Sequence, residues 1–222
     1  MMTNLFSIFD PATTKNLSLN WLAILNPLIL MPLMYWVIPS RPHFFWNKIS
    51  FSLLSELQTL FSSNKKIFIF IFISLFWFIL SCNFMGLLPY VFTPTSHINL
   101  TSFMSISMWT TLMLYGWVMQ TNHMFTHLVP TGTPMFLSVF MVCIETISNM
   151  IRPLTLSVRL TANMISGHLL LCLLSNIMES TPIMNPVIMP VMIALLFLET
   201  AVAVIQSYVF ITLTSLYLNE LN

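Results

Sequence analysis

Between Lys66 and Glu145 the chain carries no aspartate, glutamate, lysine or arginine. So long a stretch without charge cannot form the surface of a soluble domain, where roughly a quarter of residues are charged. It predicts that the bilayer is the solvent for much of the chain. The composition agrees, with 57% of the 222 residues hydrophobic and only 6% charged. In hydrocarbon every backbone N–H and C=O must be satisfied internally, so the expected fold is all-α, a single membrane domain over residues 1–222. A formal net charge of +1, with no basic patch beyond Lys65–Lys66, excludes nucleic acid as a partner. Cys82, Cys143 and Cys172 all lie in apolar stretches and read as small buried hydrophobes, neither a disulfide framework nor a metal site.

A span needs about 20 apolar residues. Residues 21–38 form a first expected span, interrupted by Pro27 and Pro32 and ended by Pro39, Arg41 and Pro42. In residues 44–62, Phe45, Ile49, Leu53, Leu57 and Leu60 follow helical spacing among Lys48, Ser52, Ser55, Glu56 and Gln58. That pattern predicts an amphipathic helix lying on the membrane surface. Residues 67–89 are the clearest span and 100–119 a milder one, followed by a polar loop from Gln120 to Pro134 with His123 and His127. The segments 135–175 and 186–218 are longer than an upright crossing requires. They are expected to tilt strongly, the first with a kink at Pro153. The expected architecture is therefore about five membrane-embedded helices plus one amphipathic surface helix, the last two helices long and strongly tilted. Arg41, Lys48, Lys65 and Lys66 surround the surface helix and assign that side to the matrix or cytoplasm. No internal repeat is visible, which disfavours an inverted-repeat transporter.

The charges that interrupt the apolar run are Glu145, Arg152 and Arg159. At about 100° per residue, Glu145, Ser148, Arg152, Thr155, Asn163 and Ser166 fall within about 40° of Arg159 on a helical projection. This polar stripe runs down one helix face. An intramembrane charge costs at least about 2.5–3.5 kcal/mol, so such a stripe points to an ion or proton path. The alternative is polar glue between packed helices, with the ends snorkelling to the interface. His168 projects about 180° from Arg159. On the last helix Glu199 and Gln206, seven residues apart, share a face. A buried histidine and a buried glutamate on adjacent helices can exchange a proton, though His168 alone could equally be a satisfied core residue. His43, His97, His123 and His127 read as loop or surface histidines, and two ligands four residues apart do not close a metal site. Glu179 and Glu220 read as solvated charges.

The run IRPLTLSVRLTANMISGH over residues 151–168 resembles the signature of subunit a of F-type ATP synthases, Arg-Leu-x-x-Asn followed by Gly-His or Gly-Glu. Glu199 with QSYVF at 206–210, NFMGLLPY at 83–90 and MTNLF at 2–6 are similar to the same family. The likeness covers essentially the whole chain and is closest to mitochondrial, arthropod-like members. Ser166 stands where alanine is commoner, and Leu154 where glycine is commoner between Pro153 and Thr155; neither removes an ionisable group. His168 and Glu199 have the mitochondrial arrangement, which bacterial relatives exchange between the two helices.

The resemblance implies a proton-translocating stator subunit in the membrane part of ATP synthase, without a catalytic site of its own. It would provide two half-channels to the carboxylates of a rotor ring of c subunits. Arg159 would face the ring, His168 and Glu199 would serve the intermembrane side, and Glu145 would lie toward the matrix. Asn163 and Gln206 would position Arg159 or hold water beside it. The implied partners are that ring, the other membrane and peripheral-stalk subunits, lipid and protons. The implied location is the mitochondrial inner membrane, as a multi-pass protein. Eighteen methionines and the first cation only at Lys15, with no leader pattern, suit a chain made where it works. No cofactor or metal is expected, since only His168 lies well inside an expected span and haem needs paired axial ligands. The alternative function is a stand-alone proton or ion channel, or a secondary transporter.

Overall fold

The computed structural model describes residues 5–14, 17–30, 37–61, 66–119, 121–129 and 134–220. These residues form helices and turns, with no strand among them. The chain is an all-α membrane protein. A short 3-10 turn at Leu5–Phe9 and another at Leu19–Leu25 precede α1 (Asn26–Leu30). Then come α2 (Arg41–Leu60), α3 (Lys66–Gly86), α4 (Ile98–Met119), α5 (Thr121–Leu128), α6 (Met135–Ser180) and α7 (Asn185–Glu220). Residues 31–36 of the first expected span lie outside the described residues, as do Lys65 and the Met2–Asn4 part of the opening motif.

Three helices among the described residues are long and apolar enough to cross a membrane: Phe68–Gly86, Phe136–Ser180 and Asn185–Asn219. The last two are 46 and 36 residues as full helices, or about 69 and 54 Å at 1.5 Å per residue. A hydrocarbon core is about 30 Å thick, so neither can stand upright within it. Pro153 and Pro190 sit inside these helices without ending them. The segment after Met119 is not simply a loop: Thr121–Leu128, which includes His123 and His127, forms the helix α5.

The core is a wall of α3 meeting α2 and α7. Ile69, Phe72, Phe76 and Ile79, at helical spacing, are all buried with Leu57, Phe61, Phe210, Ile211 and Leu218. The stripe by which α2 lies on this wall is Trp46, Ile49, Leu53, Leu57 and Leu60, with the Trp46 ring 3.7 Å from that of Trp77. Phe45, expected on that stripe, points outward. Four residues on one face of α4, Thr101, Ser105, Leu112 and Gly116, are buried, and α4 packs on α6. Small residues let helices approach closely where no hydrophobic drive exists between them. The Thr101 and Ser105 hydroxyls donate back to the carbonyls of Ile98 and Ser102, so their burial leaves no polar group unmet.

Candidate functional site

α6 and α7 form an antiparallel pair whose register is fixed by three contacts. The Arg152 guanidinium lies over the Tyr217 ring, 4.7 Å from its centroid. Asn163 Nδ2 donates to Gln206 Oε1 at 3.1 Å. Gly167 meets Glu199 so closely that a Cβ at Gly167 would lie 2.8 Å from the Glu199 Cδ and Oε1. Each advance along α6 is matched by a similar retreat along α7. Only a residue without a side chain admits the Glu199 carboxyl at this height.

The Glu199 carboxylate is buried, and neither of its oxygens has a hydrogen-bond partner. It borders a hollow of about 150 Å³ that Leu87, Asn163, Gly167, Leu198 and Val202 help to line. The hollow is therefore built by the end of α3 together with α6 and α7. Gln206 is buried about two turns along α7 from Glu199; its Oε1 is engaged by Asn163 while its Nε2 is not paired. Both Glu199 oxygens are therefore free to accept hydrogen bonds within the hollow.

Arg159 lies on the neighbouring face of α6. Leu156, Ser157, Leu160, Thr161 and Met164 bury the opposite face against the body of the protein, and Arg159 is left exposed. It is eight residues from Gly167, about 12 Å along the axis. Val158 beside it and Leu154 and Ile151 below are exposed apolar residues. The guanidinium thus projects outward from the polar stripe, where Thr155 and Ser166 are also exposed, and not into the protein.

His168 is half-buried on the far side of the helix, with Nε2 enclosed and unpaired. The Phe9 ring meets it edge-on at 6.2 Å between centroids, so the first 3-10 turn covers it. Glu199 meets α6 at Gly167, the immediate neighbour of His168 in sequence. Glu145 is half-buried near the start of α6, fourteen residues or about 21 Å from Arg159. The structure therefore brings together Asn163, Gln206, Gly167 and Glu199, puts Arg159 on the open face beside them, and leaves Glu145 apart. The role of Gly167 escaped the sequence reading because a glycine's contact lies on another helix. The pairing of Asn163 with Gln206 escaped it too, although two amides on facing apolar helices are a readable signal for mutual hydrogen bonding.

The family model described as ATP synthase A chain matches residues 17–219. Curated relatives named ATP synthase subunit a align over the full length of both chains. That of Drosophila yakuba is 56% identical over 224 residues. Those of Anopheles gambiae and Aedes aegypti are 55% and 54% identical over 226 residues.

Proposed function

The chain belongs to the ATP synthase A chain family, whose members are the proton-translocating stator subunit of the membrane sector, and from that membership we propose how its own residues move protons. It carries no catalytic site of its own and works with other subunits of ATP synthase. Its partner at the α6 face is a rotor ring of c subunits in the mitochondrial inner membrane. With α3, α6 and α7, the helix α4 lies in the membrane, and α2 lies on its surface.

The observation that carries this reading is the exposed Arg159 on an apolar helix. A guanidinium stays charged at any working pH, and a bare cation facing lipid is untenable. Its open face must meet a protein surface that supplies an anion. A ring carboxylate fits, since the guanidinium favours the ionised form and so drives the carboxylate to release its proton. The same fixed charge repels protons and blocks a direct leak between the two half-channels.

Reprotonation of the next ring carboxylate draws on the hollow at Glu199. The unpaired carboxyl and the adjoining Asn163–Gln206 pair support a hydrogen-bonded route from the intermembrane side. His168 adds a second proton-exchanging group on that side, and Glu145 lies on the route to the matrix. Each charge that crosses is driven by about 2.3 kcal/mol per 100 mV.

The test is Arg159→Ala in the assembled complex. Coupled ATP synthesis is expected to be abolished while the complex still assembles, and near-normal synthesis would overturn the reading. His168→Ala is expected to slow proton flux more than it harms assembly, which a flux measurement over a pH series checks.

A further inference from the structure

Some buried hydrogen-bonding atoms of the described residues have no partner. Eight described residues carry them, and six are Asn83, Thr95, His97, His168, Glu199 and Gln206. These six and Asn185, at the start of α7, belong to α3, the turn that follows it, α6 or α7, and the eighth is His43 on α2. Asn83 is the extreme case. It is fully buried, and both its Oδ1 and Nδ2 lack a partner. Leaving a buried polar group unmet is costly, and such exceptions ask for a reason beyond packing.

The place of Asn83 follows from two sets of contacts between α3 and α7. Phe72 and Phe76 share a hollow with Tyr208 and Ile211, while Leu87 shares the other hollow with Glu199 and Val202. The two helices are therefore antiparallel. On the helical projection Asn83 lies within about 20° of Phe72 and Phe76 and about 40° from Leu87, so it is on the face of α3 that meets α7. It lies four residues, about 6 Å, inward from Leu87, which brings it to the height of Ala203 and Gln206. The turn beyond α3 is drawn onto the same helices. The Thr93 side chain packs where a Cβ of Gly86 would be, and Met164 of α6 lies 3.7 Å from that point. Pro94, Thr95 and Ser96 are buried there.

We propose that Asn83 is a further residue of the proton path, a hydrogen-bonding station on α3 that leads from the buried turn at Thr95 to the height of Glu199 and Gln206. This rests on the function proposed above. A carboxamide suits such a station because it both donates and accepts without holding a charge of its own. An unbroken α3 face of phenylalanine and isoleucine would instead close the α3 side of the route to any hydrogen-bonded chain.

The test uses the intact complex in sealed vesicles, with Asn83→Leu, Asn83→Ala and Asn83→Ser. Passive proton flux is read after removal of the soluble head, alongside the amount of assembled complex. Asn83→Leu keeps the branched outline and removes both hydrogen-bonding groups; flux is expected to fall about three- to tenfold, the range one lost hydrogen bond implies. Asn83→Ser is expected to recover most of it at equal assembly, which a packing role would not give. Equal flux in Asn83→Leu and the unmodified complex overturns the proposal. So does failure of all three variants to assemble, which would make Asn83 a structural residue. Arg159→Ala, measured in parallel, separates the two readings. If it abolishes coupled synthesis while Asn83→Leu leaves flux intact, only the role of Asn83 fails.

Discussion

α3 and α7 are both strongly apolar helices long enough to cross a membrane, yet they are used in opposite ways. In its most apolar stretch α3 is 44% buried inside the chain, and α7 only 6%. Hydropathy reports that a helix prefers hydrocarbon to water; it does not report whether lipid, a neighbouring helix or another subunit covers it. α3 is scaffold, with Phe72 and Phe76 fixed between α2 and α7. α7 is divided: residues from Ala203 to Leu218 supply core positions, while Ile193, Phe197 and Leu198 stand outside it. The polar residues that the proposed proton path uses sit where these two regimes meet.

The largest effect that can break this comparison comes from two phenylalanines. Phe72 is 1% exposed and Phe197 is 75% exposed. Phe72→Ala leaves a cavity in the α3 wall and is expected to destabilise the chain by about 3 kcal/mol. Phe197→Ala is expected to change the stability of the chain itself by less than about 0.5 kcal/mol. Thermal loss of the helical signal in detergent compares the two, and equal effects would remove the distinction between scaffold and bare helix.

Next in size is Gly167→Ala, which tests the junction. The added Cβ would land 2.8 Å from the Glu199 carboxyl carbon, so the carboxyl must leave its place. The atoms it meets are the end of a flexible side chain beside a hollow, so the move costs little stability and the effect falls on where the carboxyl sits. Proton flux is expected to drop with the complex still assembled. Unaltered flux and assembly in Gly167→Ala would show that the close approach has no consequence.

Much of this was legible from residues alone. The charge-free run from Ile67 to Ile144 announced the membrane, and helical projection put Asn163 beside Arg159 and His168 behind it. Those are local properties, set by about 100° of turn per residue. The rest depends on which helices become neighbours. Gly167 reads as a weak helix former until Glu199 is seen against it. Phe45 and Trp46 are adjacent and both aromatic, and only the Trp77 ring decides which of them faces the core. The α5 helix hid in a segment rich in histidine and threonine because its composition resembles that of a loop.

A smaller effect probes the amide pair. Gln206→Leu removes the acceptor of Asn163 and is expected to cost about 0.6–1.7 kcal/mol, the range for single interhelical hydrogen bonds in membranes. Adding Asn163→Leu should then cost less than the two changes measured apart, because the second change leaves no widowed amide. Strict additivity in that double-mutant cycle would mean the two side chains act independently.

The smallest effect concerns the surface helix. Tyr208 on α7 donates its hydroxyl to Glu56 Oε2 at 3.0 Å, a tie between α7 and α2. Both residues are exposed at the edge of the α2–α7 contact, and a single interhelical hydrogen bond of this kind contributes about 0.6 kcal/mol. What holds α2 is apolar: Leu57 is buried, and Trp46 lies on Trp77. Tyr208→Phe is therefore expected to leave amide hydrogen exchange in α2 nearly unchanged, whereas Leu57→Ala should accelerate it strongly. If Tyr208→Phe released α2 as Leu57→Ala does, the surface helix would be held by its polar edge, and the wall of α3 would not be the element that organises it.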